Sequence, residues 1–81
     1  MNLYFKNSQG KERLIGSNVT DESDAMTIIR KFCDERNFKI YYYRTWIADN
    51  DTTVFDVGSY TEFFHLKNEE TTNEQINNQA V

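Results

Sequence analysis

Residues 20–37, TDESDAMTIIRKFCDERN, carry the strongest secondary-structure signal in the chain, and the fold class follows from it. Apolar side chains recur there at spacings of three and four, which places them on one stripe of a helix. The stripe consists of Ala25, Ile28, Ile29, Phe32 and Cys33. Thr20 is the predicted N-cap, and Asn37 is the predicted left-handed stop. We therefore predict a helix from Asp21 to Arg36.

The segment before the helix predicts a β-hairpin. Residues 3–6 alternate in polarity, and residues 7–10, NSQG, have the composition of a turn. Residues 11–15 then continue as a second extended stretch, which ends at Gly16.

The segment after the helix is rich in aromatic and β-branched residues, which favour strands. Residues 38–47 are predicted to form a long strand, residues 48–51 a turn, and residues 52–57 the next strand. Residues 58–61, GSYT, turn the chain again, and residues 62–67 close a meander. The predicted fold is therefore α+β with the element order ββαβββ, an antiparallel sheet with one helix packed across one face.

A chain of 81 residues can close one hydrophobic core and no more, because small proteins bury a low share of their surface. We predict a single domain over residues 1–67. Residues 68–81 hold mainly Asn, Gln, Glu and Thr, and their apolar members are Ile76, Ala80 and Val81. Such a segment buries little surface, so we predict a polar tail that is disordered or weakly helical.

Composition indicates the cellular compartment and the class of partner that suit this chain. The single cysteine, Cys33, excludes an internal disulfide framework and suits a reducing compartment. We find neither a secretory signal nor a run long enough to span a membrane, so we expect a cytoplasmic protein. Nine basic and thirteen acidic residues give a net charge of -4. This charge makes nucleic acid an unfavourable partner and favours basic or neutral protein surfaces.

The residues that could carry chemistry are few. His65 is the sole histidine, and a four-residue loop at residues 58–61 would set Val54 opposite His65 and Asp56 opposite Phe63. His65 and Asp56 would then lie diagonally on one face, which is the one arrangement in the sequence that could support catalysis. We favour the simpler interpretation of a half-exposed strand histidine. We expect no enzyme activity, no cofactor and no metal site, since zinc sites draw three or four ligands from His, Cys and carboxylates.

The aromatic run at residues 41–46 is a second candidate for function. Residues 41–43 are consecutive tyrosines, whose side chains must alternate between the faces of a strand. One helix covers one face. On the predicted hairpin register, the residues under the helix are Phe55, Val57, Phe64 and Leu66. The opposite face holds Val54, Phe63, His65 and part of residues 41–46. The N-terminal hairpin or the tail folding over that face is an alternative.

We predict that this opposite face binds a partner. Tyr and Trp offer a large contact area with few rotatable bonds, which is why they concentrate at binding hot spots. The predicted partner-binding residues are Tyr41, Tyr43 and Phe63 as anchors, with His65 and Trp46 beside them. A register slip of one residue at residues 49–51 would replace Tyr41 and Tyr43 with Tyr42 and Trp46 on this face.

Three stretches carry a resemblance to a known group of proteins. DVGSYTEFF at residues 56–64, MNLYFKNSQG at residues 1–10 and NFK at residues 37–39 resemble small uncharacterised proteins of phages and prophages of Gram-positive bacteria. The similarity spans most of residues 1–67. It implies an accessory protein that occludes a host protein, such as a nuclease of restriction or CRISPR defence, and it implies no catalytic residues.

Four functional hypotheses follow. The first is a phage-encoded module that binds a host protein and inhibits or redirects it. The second is a single-stranded nucleic-acid-binding protein, in which Tyr41, Tyr43 and Phe63 stack on bases while Lys39 and Arg44 contact phosphates. The third is an enzyme built on His65 and Asp56, which we do not expect. The fourth is a homodimer joined through the uncovered face.

Overall fold

The computed structural model describes residues 1–59 and 61–69. Within these ranges the elements are β1 (Asn2–Lys6), β2 (Glu12–Gly16), α1 (Glu22–Glu35), β3 (Arg44–Asp49), β4 (Thr52–Asp56) and β5 (Phe63–Lys67). The predicted order ββαβββ is confirmed. Of the predicted tail, residues 70–81 lie outside the described residues.

The five strands form one antiparallel sheet in the order β2-β1-β5-β4-β3. The two hairpins that the sequence predicts are thus joined side by side through β1 and β5, where Tyr4 lies opposite His65. Because the N-terminal hairpin extends the sheet at one edge, it does not fold over a face of the sheet.

The turn of the N-terminal hairpin is built by Asn7. Its side-chain Oδ1 accepts hydrogen bonds from the backbone N–H groups of Gln9 and Lys11 at 2.9 and 3.0 Å. Gly10 adopts a φ of 84°, a left-handed conformation that glycine tolerates without steric cost. This turn sets Lys6 opposite Glu12 in the sheet.

Helix α1 begins one residue later than predicted, with Asp21 rather than Thr20 as the N-cap. The Asp21 carboxylate accepts a hydrogen bond from the Asp24 N–H at 2.8 Å, and the Asp24 carboxylate accepts one from the Thr20 N–H at 3.1 Å. A charged acceptor makes a stronger cap than a hydroxyl, which explains the choice of Asp21. The predicted stop is confirmed, since Asn37 has a φ of 59°.

The core lies between α1 and one face of the sheet, here called the helix side. It contains the predicted stripe residues Ala25, Ile29 and Cys33, whereas Ile28 and Phe32 are half-buried at its margin. The buried residues of the strands on this side are Leu3, Phe5, Phe55, Phe64 and Leu66. The Phe5 ring lies 4.9 Å from the Phe32 ring and 5.4 Å from the Phe64 ring.

The third strand differs from the sequence prediction. A single strand over residues 38–47 was expected, but β3 spans Arg44–Asp49 and residues 38–43 form an irregular connection. Phe38 and Ile40 in this connection pack against the core. Tertiary packing of these side chains thus overrides the strand preference of the aromatic run.

Within the described residues, no helix combines the length and the apolar character needed to cross a bilayer.

Candidate functional site

The face of the sheet opposite α1, here called the open face, carries a continuous row of side chains across all strands. The pairings Leu14 to Tyr4, Tyr4 to His65, His65 to Val54 and Val54 to Trp46 place one residue from each strand in this row. Residues directly opposite one another in antiparallel strands share a face and touch. We call these five residues the cross-strand row.

The row is packed at its centre and exposed at its ends. Val54 is 5% exposed, whereas Leu14 and Trp46 are 52% and 42% exposed. Phe63 supports the row from the neighbouring position on β5, with its ring 6.1 Å from Trp46 in an edge-to-face arrangement. The cross-strand row is therefore a largely apolar strip of the open face, and its two ends are accessible.

One charged cluster borders the row near its Leu14 end. The Glu12 carboxylate lies 2.8 Å from Lys67 Nζ and 3.2 Å from His65 Nδ1. Lys67 Nζ also lies 5.0 Å from the centre of the Tyr4 ring, within the range of a cation–π contact. The positive charge of Lys67 is therefore neutralised by Glu12 within the molecule.

Burial lowers the pKa of His65 below its ordinary value of 6.5. Glu12 acts in the opposite direction, but desolvation of the imidazole is the larger effect, and the nearby Lys6 and Lys67 add to it. His65 is therefore neutral at neutral pH and donates its Nδ1 hydrogen to Glu12.

A second charged cluster borders the row near its Trp46 end. Arg44 donates to Asp56 Oδ2 from Nη2 at 2.9 Å and from Nε at 3.3 Å, and the Gly58 N–H donates to Asp56 Oδ1 at 3.0 Å. The hydrogen bond to Asp56 is the largest cause that raises the pKa of Arg44. Asp56 itself is buried, so its carboxylate relies on these donors for the hydrogen bonds that water would otherwise supply.

These clusters correct the one catalytic hypothesis raised by the sequence. The register that sets Val54 opposite His65 is confirmed, and both His65 and Asp56 lie on the open face. Their predicted contact is wrong, because His65 pairs with Glu12 and Asp56 pairs with Arg44. Arg44 lies directly opposite Asp56 in the β3–β4 pair, whereas Glu12 reaches His65 from β2 across the intervening strand β1.

The predicted binding residues fall into two groups. Trp46, Phe63 and His65 lie together on the open face. Tyr43 instead stacks on Phe55, a core residue of the helix side, with ring centres 6.3 Å apart. Tyr41 lies in the irregular connection, is 76% exposed and has Lys39 Nζ 5.6 Å from its ring.

The structure therefore adopts the register that the sequence left as the alternative. Trp46 faces Val54, and Tyr42 packs against Gly58 beside Arg44. The assignment of Tyr41 and Tyr43 to the open face is wrong, because β3 starts only at Arg44 and its alternation sends Thr45, not Trp46, to the helix side.

Sequence reasoning missed two members of the row, Tyr4 and Leu14. Both alternate correctly within their strands, but the pattern alone does not say that β1 pairs with β5. Tyr4 Oη donates to the Glu69 carboxylate at 2.7 Å, as does Asn2 Nδ2 at 2.8 Å. The hydrogen bond to Glu69 raises the pKa of Tyr4, and the hydrogen bonds from Asn2 and Tyr4 lower the pKa of Glu69.

Among the described residues, neither Cys33 nor a group of metal-ligating side chains forms a further site. Cys33 is buried in the core, where desolvation raises the pKa of its thiol and disfavours the reactive thiolate. Among the described residues, no group of three or more His, Cys, Asp or Glu side chains is placed to hold a metal ion.

Comparison with protein-family models, curated proteins and solved structures found no match to this chain.

Proposed function

We propose that this chain is a protein-binding module that docks its open face on a protein partner. The observation that carries the proposal is the cross-strand row, which extends from Leu14 to Trp46 and is flanked by Phe63. Interfaces combine an apolar centre rich in aromatic residues with a polar rim, and the row between its two charged clusters has this composition.

The charges of the open face favour protein over nucleic acid as the partner. Phosphate binding needs cations that exchange their counterions for the nucleic-acid backbone. On this face Lys67 is paired with Glu12, and Arg44 is paired with Asp56. Contacting phosphates with these side chains would require breaking both pairs, in a chain whose net charge is already -4.

The net negative charge of the chain also indicates the charge of its protein partner. An acidic module approaches a protein that carries basic groups around its contact patch, because opposite charges raise the rate of association. A host protein with a nucleic-acid groove has this chemistry. Together with the resemblance to phage accessory proteins, this supports a module that inhibits or redirects a host factor such as a defence nuclease. It acts in the host cytoplasm by occupying a surface, without catalysis of its own.

The test uses a photoreactive phenylalanine analogue at Phe63 on the open face, with the same analogue at Tyr41 as the matched control. Each protein is cross-linked in a lysate of a Gram-positive host, and the captured species is identified by mass spectrometry. The captured protein is then purified, and its affinity is measured for wild type, Leu14→Lys and Tyr41→Lys. We expect cross-linking from Phe63 only, and a loss of affinity of about 30-fold or more for Leu14→Lys, the size of one interface hot spot.

Three results would overturn the proposal. They are equal cross-linking from both positions, an unchanged affinity of folded Leu14→Lys, and capture of nucleic acid in place of protein. Fluorescence anisotropy with single-stranded DNA and RNA at low salt checks the last outcome directly, because phosphate-driven binding is strongest there.

A further inference from the structure

The two edges of the sheet are protected to different degrees. At one edge, β2 carries the exposed charges of Glu12 and Arg13 and follows Lys11. Helix α1 lies close to this edge, since Ile28 packs against Gly16 and Phe32 packs beneath Arg13. Charged side chains and a covering helix are the usual means by which an edge strand is kept from pairing with another chain.

At the other edge, β3 lacks these protections. It pairs with β4 on one side, and in the described part of the chain no strand pairs with its other side. Its centre is Thr45-Trp46-Ile47-Ala48, without lysine or proline, and Ile47 is 74% exposed. A bulge between Ile47 and Asp49 disturbs the end of the strand and leaves residues 44–47 regular.

The charges along β3 are self-complementary. Arg44 stands at its start, paired with Asp56 within the chain but with its side chain 65% exposed, and Asp49 stands at its end. Asp51 follows in the turn. A second copy of the same strand, placed antiparallel, brings the basic end of each strand beside the acidic end of the other. A parallel copy would instead set like charges together.

We propose that two copies of this chain pair through β3 into one continuous antiparallel sheet. A twofold axis perpendicular to the sheet relates the copies, so both helices lie on one side and both open faces on the other. Centring the pair on Ile47 sets the two Ile47 side chains opposite each other on the helix side, and the two Trp46 side chains then lie diagonally across the strand pair on the open face. The pairing joins two cross-strand rows into one surface, and it rests on the edge of the sheet rather than on the proposed function.

The test compares the same substitution at the two edges, Ile47→Lys in β3 and Leu14→Lys in β2. The mass of wild type and both variants is measured by sedimentation velocity from about 1 μM to about 1 mM, because dimers form by mass action. We expect wild type and Leu14→Lys to reach twice the 9.6 kDa of one chain. Ile47→Lys, which enters each dimer twice, should raise the dissociation constant at least about tenfold.

Hydrogen exchange separates edge pairing from other dimers. We expect the backbone amides of residues 44–47 to gain protection as the protein concentration rises, because an edge pair hydrogen-bonds the outward amides of β3. A wild type that stays monomeric at about 1 mM would overturn the proposal. So would a dimer that survives in folded Ile47→Lys, or one whose concentration-dependent protection lies outside β3.

The dimer and the proposed function fail separately. Ile47→Lys should remain able to bind the protein partner, since Ile47 lies on the helix side, whereas Leu14→Lys should remain dimeric and lose the partner. A monomeric wild type that still binds its partner through Phe63 would refute the dimer alone.

Discussion

The helix side and the open face belong to the same strands, yet they are stabilised in different ways. On the helix side, α1 removes Leu3, Phe55 and Phe64 from water. On the open face, Val54 and Asp56 are the buried residues among those described, and charge pairs flank the apolar row. A sheet covered by one helix can thus keep an apolar row on its second face if that row is narrow and bordered by paired charges.

The difference has a functional consequence. A dry core resists change, because each buried atom is in contact with others and its removal leaves a cavity. An accessible apolar row is available to a partner, and its ends tolerate substitution. Stability should therefore depend mainly on the helix side, and binding mainly on the open face.

The largest expected effect is on Phe55, the fully buried ring of β4. Phe55→Ala should lower the free energy of unfolding by about 3–5 kcal/mol, because it removes core contacts and leaves a cavity. Phe63→Ala, the matched change on the open face, should cost about 1–2 kcal/mol, since that ring is half-buried. Urea denaturation measures both values. Equal losses would show that the open face is as much a core as the helix side.

An intermediate effect is expected at Asp56, the buried carboxylate of the open face. Asp56→Ala removes the acceptor of Arg44 and of the Gly58 N–H, so it should cost about 1–3 kcal/mol. Asp34→Ala, at an exposed carboxylate of α1, should stay within about 0.5 kcal/mol of wild type. If both variants unfold at the same urea concentration, the Arg44 cluster does not stabilise the open face.

The smallest expected effect concerns the protonation of His65. Its pKa in the folded protein lies below the ordinary value of 6.5, so the unfolded chain binds a proton more readily than the folded one. The resulting stability is fully present above pH 6.5 and is lost as the pH falls through the pKa of folded His65. The melting midpoint of wild type should therefore fall more steeply than that of His65→Gln between about pH 7 and about pH 5. Parallel curves would mean that Glu12 compensates for the burial of the imidazole.

Some residues of the open face could be predicted from the sequence and others could not, and the reason is physical. Phe63 and His65 were placed correctly because the hairpin of β4 and β5 is local, and its loop fixes the register. Tyr41 and Tyr43 were misplaced because the irregular connection, not strand alternation, determines where residues 38–43 lie. A run of aromatic residues indicates strand preference, but packing of Phe38 and Ile40 on the core competes with it.

Local sequence patterns specify the helix, the two hairpins and the side of β4 and β5 that faces α1, because caps, turns and alternating polarity act over a few residues. The pairing of β1 with β5, which brings Tyr4 opposite His65 and completes the cross-strand row, follows from the tertiary fold alone. The tertiary fold also decides that β3 begins at Arg44 and lies at an edge of the sheet. Such pairings join residues far apart in the chain, and they depend on how the whole sheet satisfies its backbone hydrogen bonds while burying one face, which no local pattern specifies.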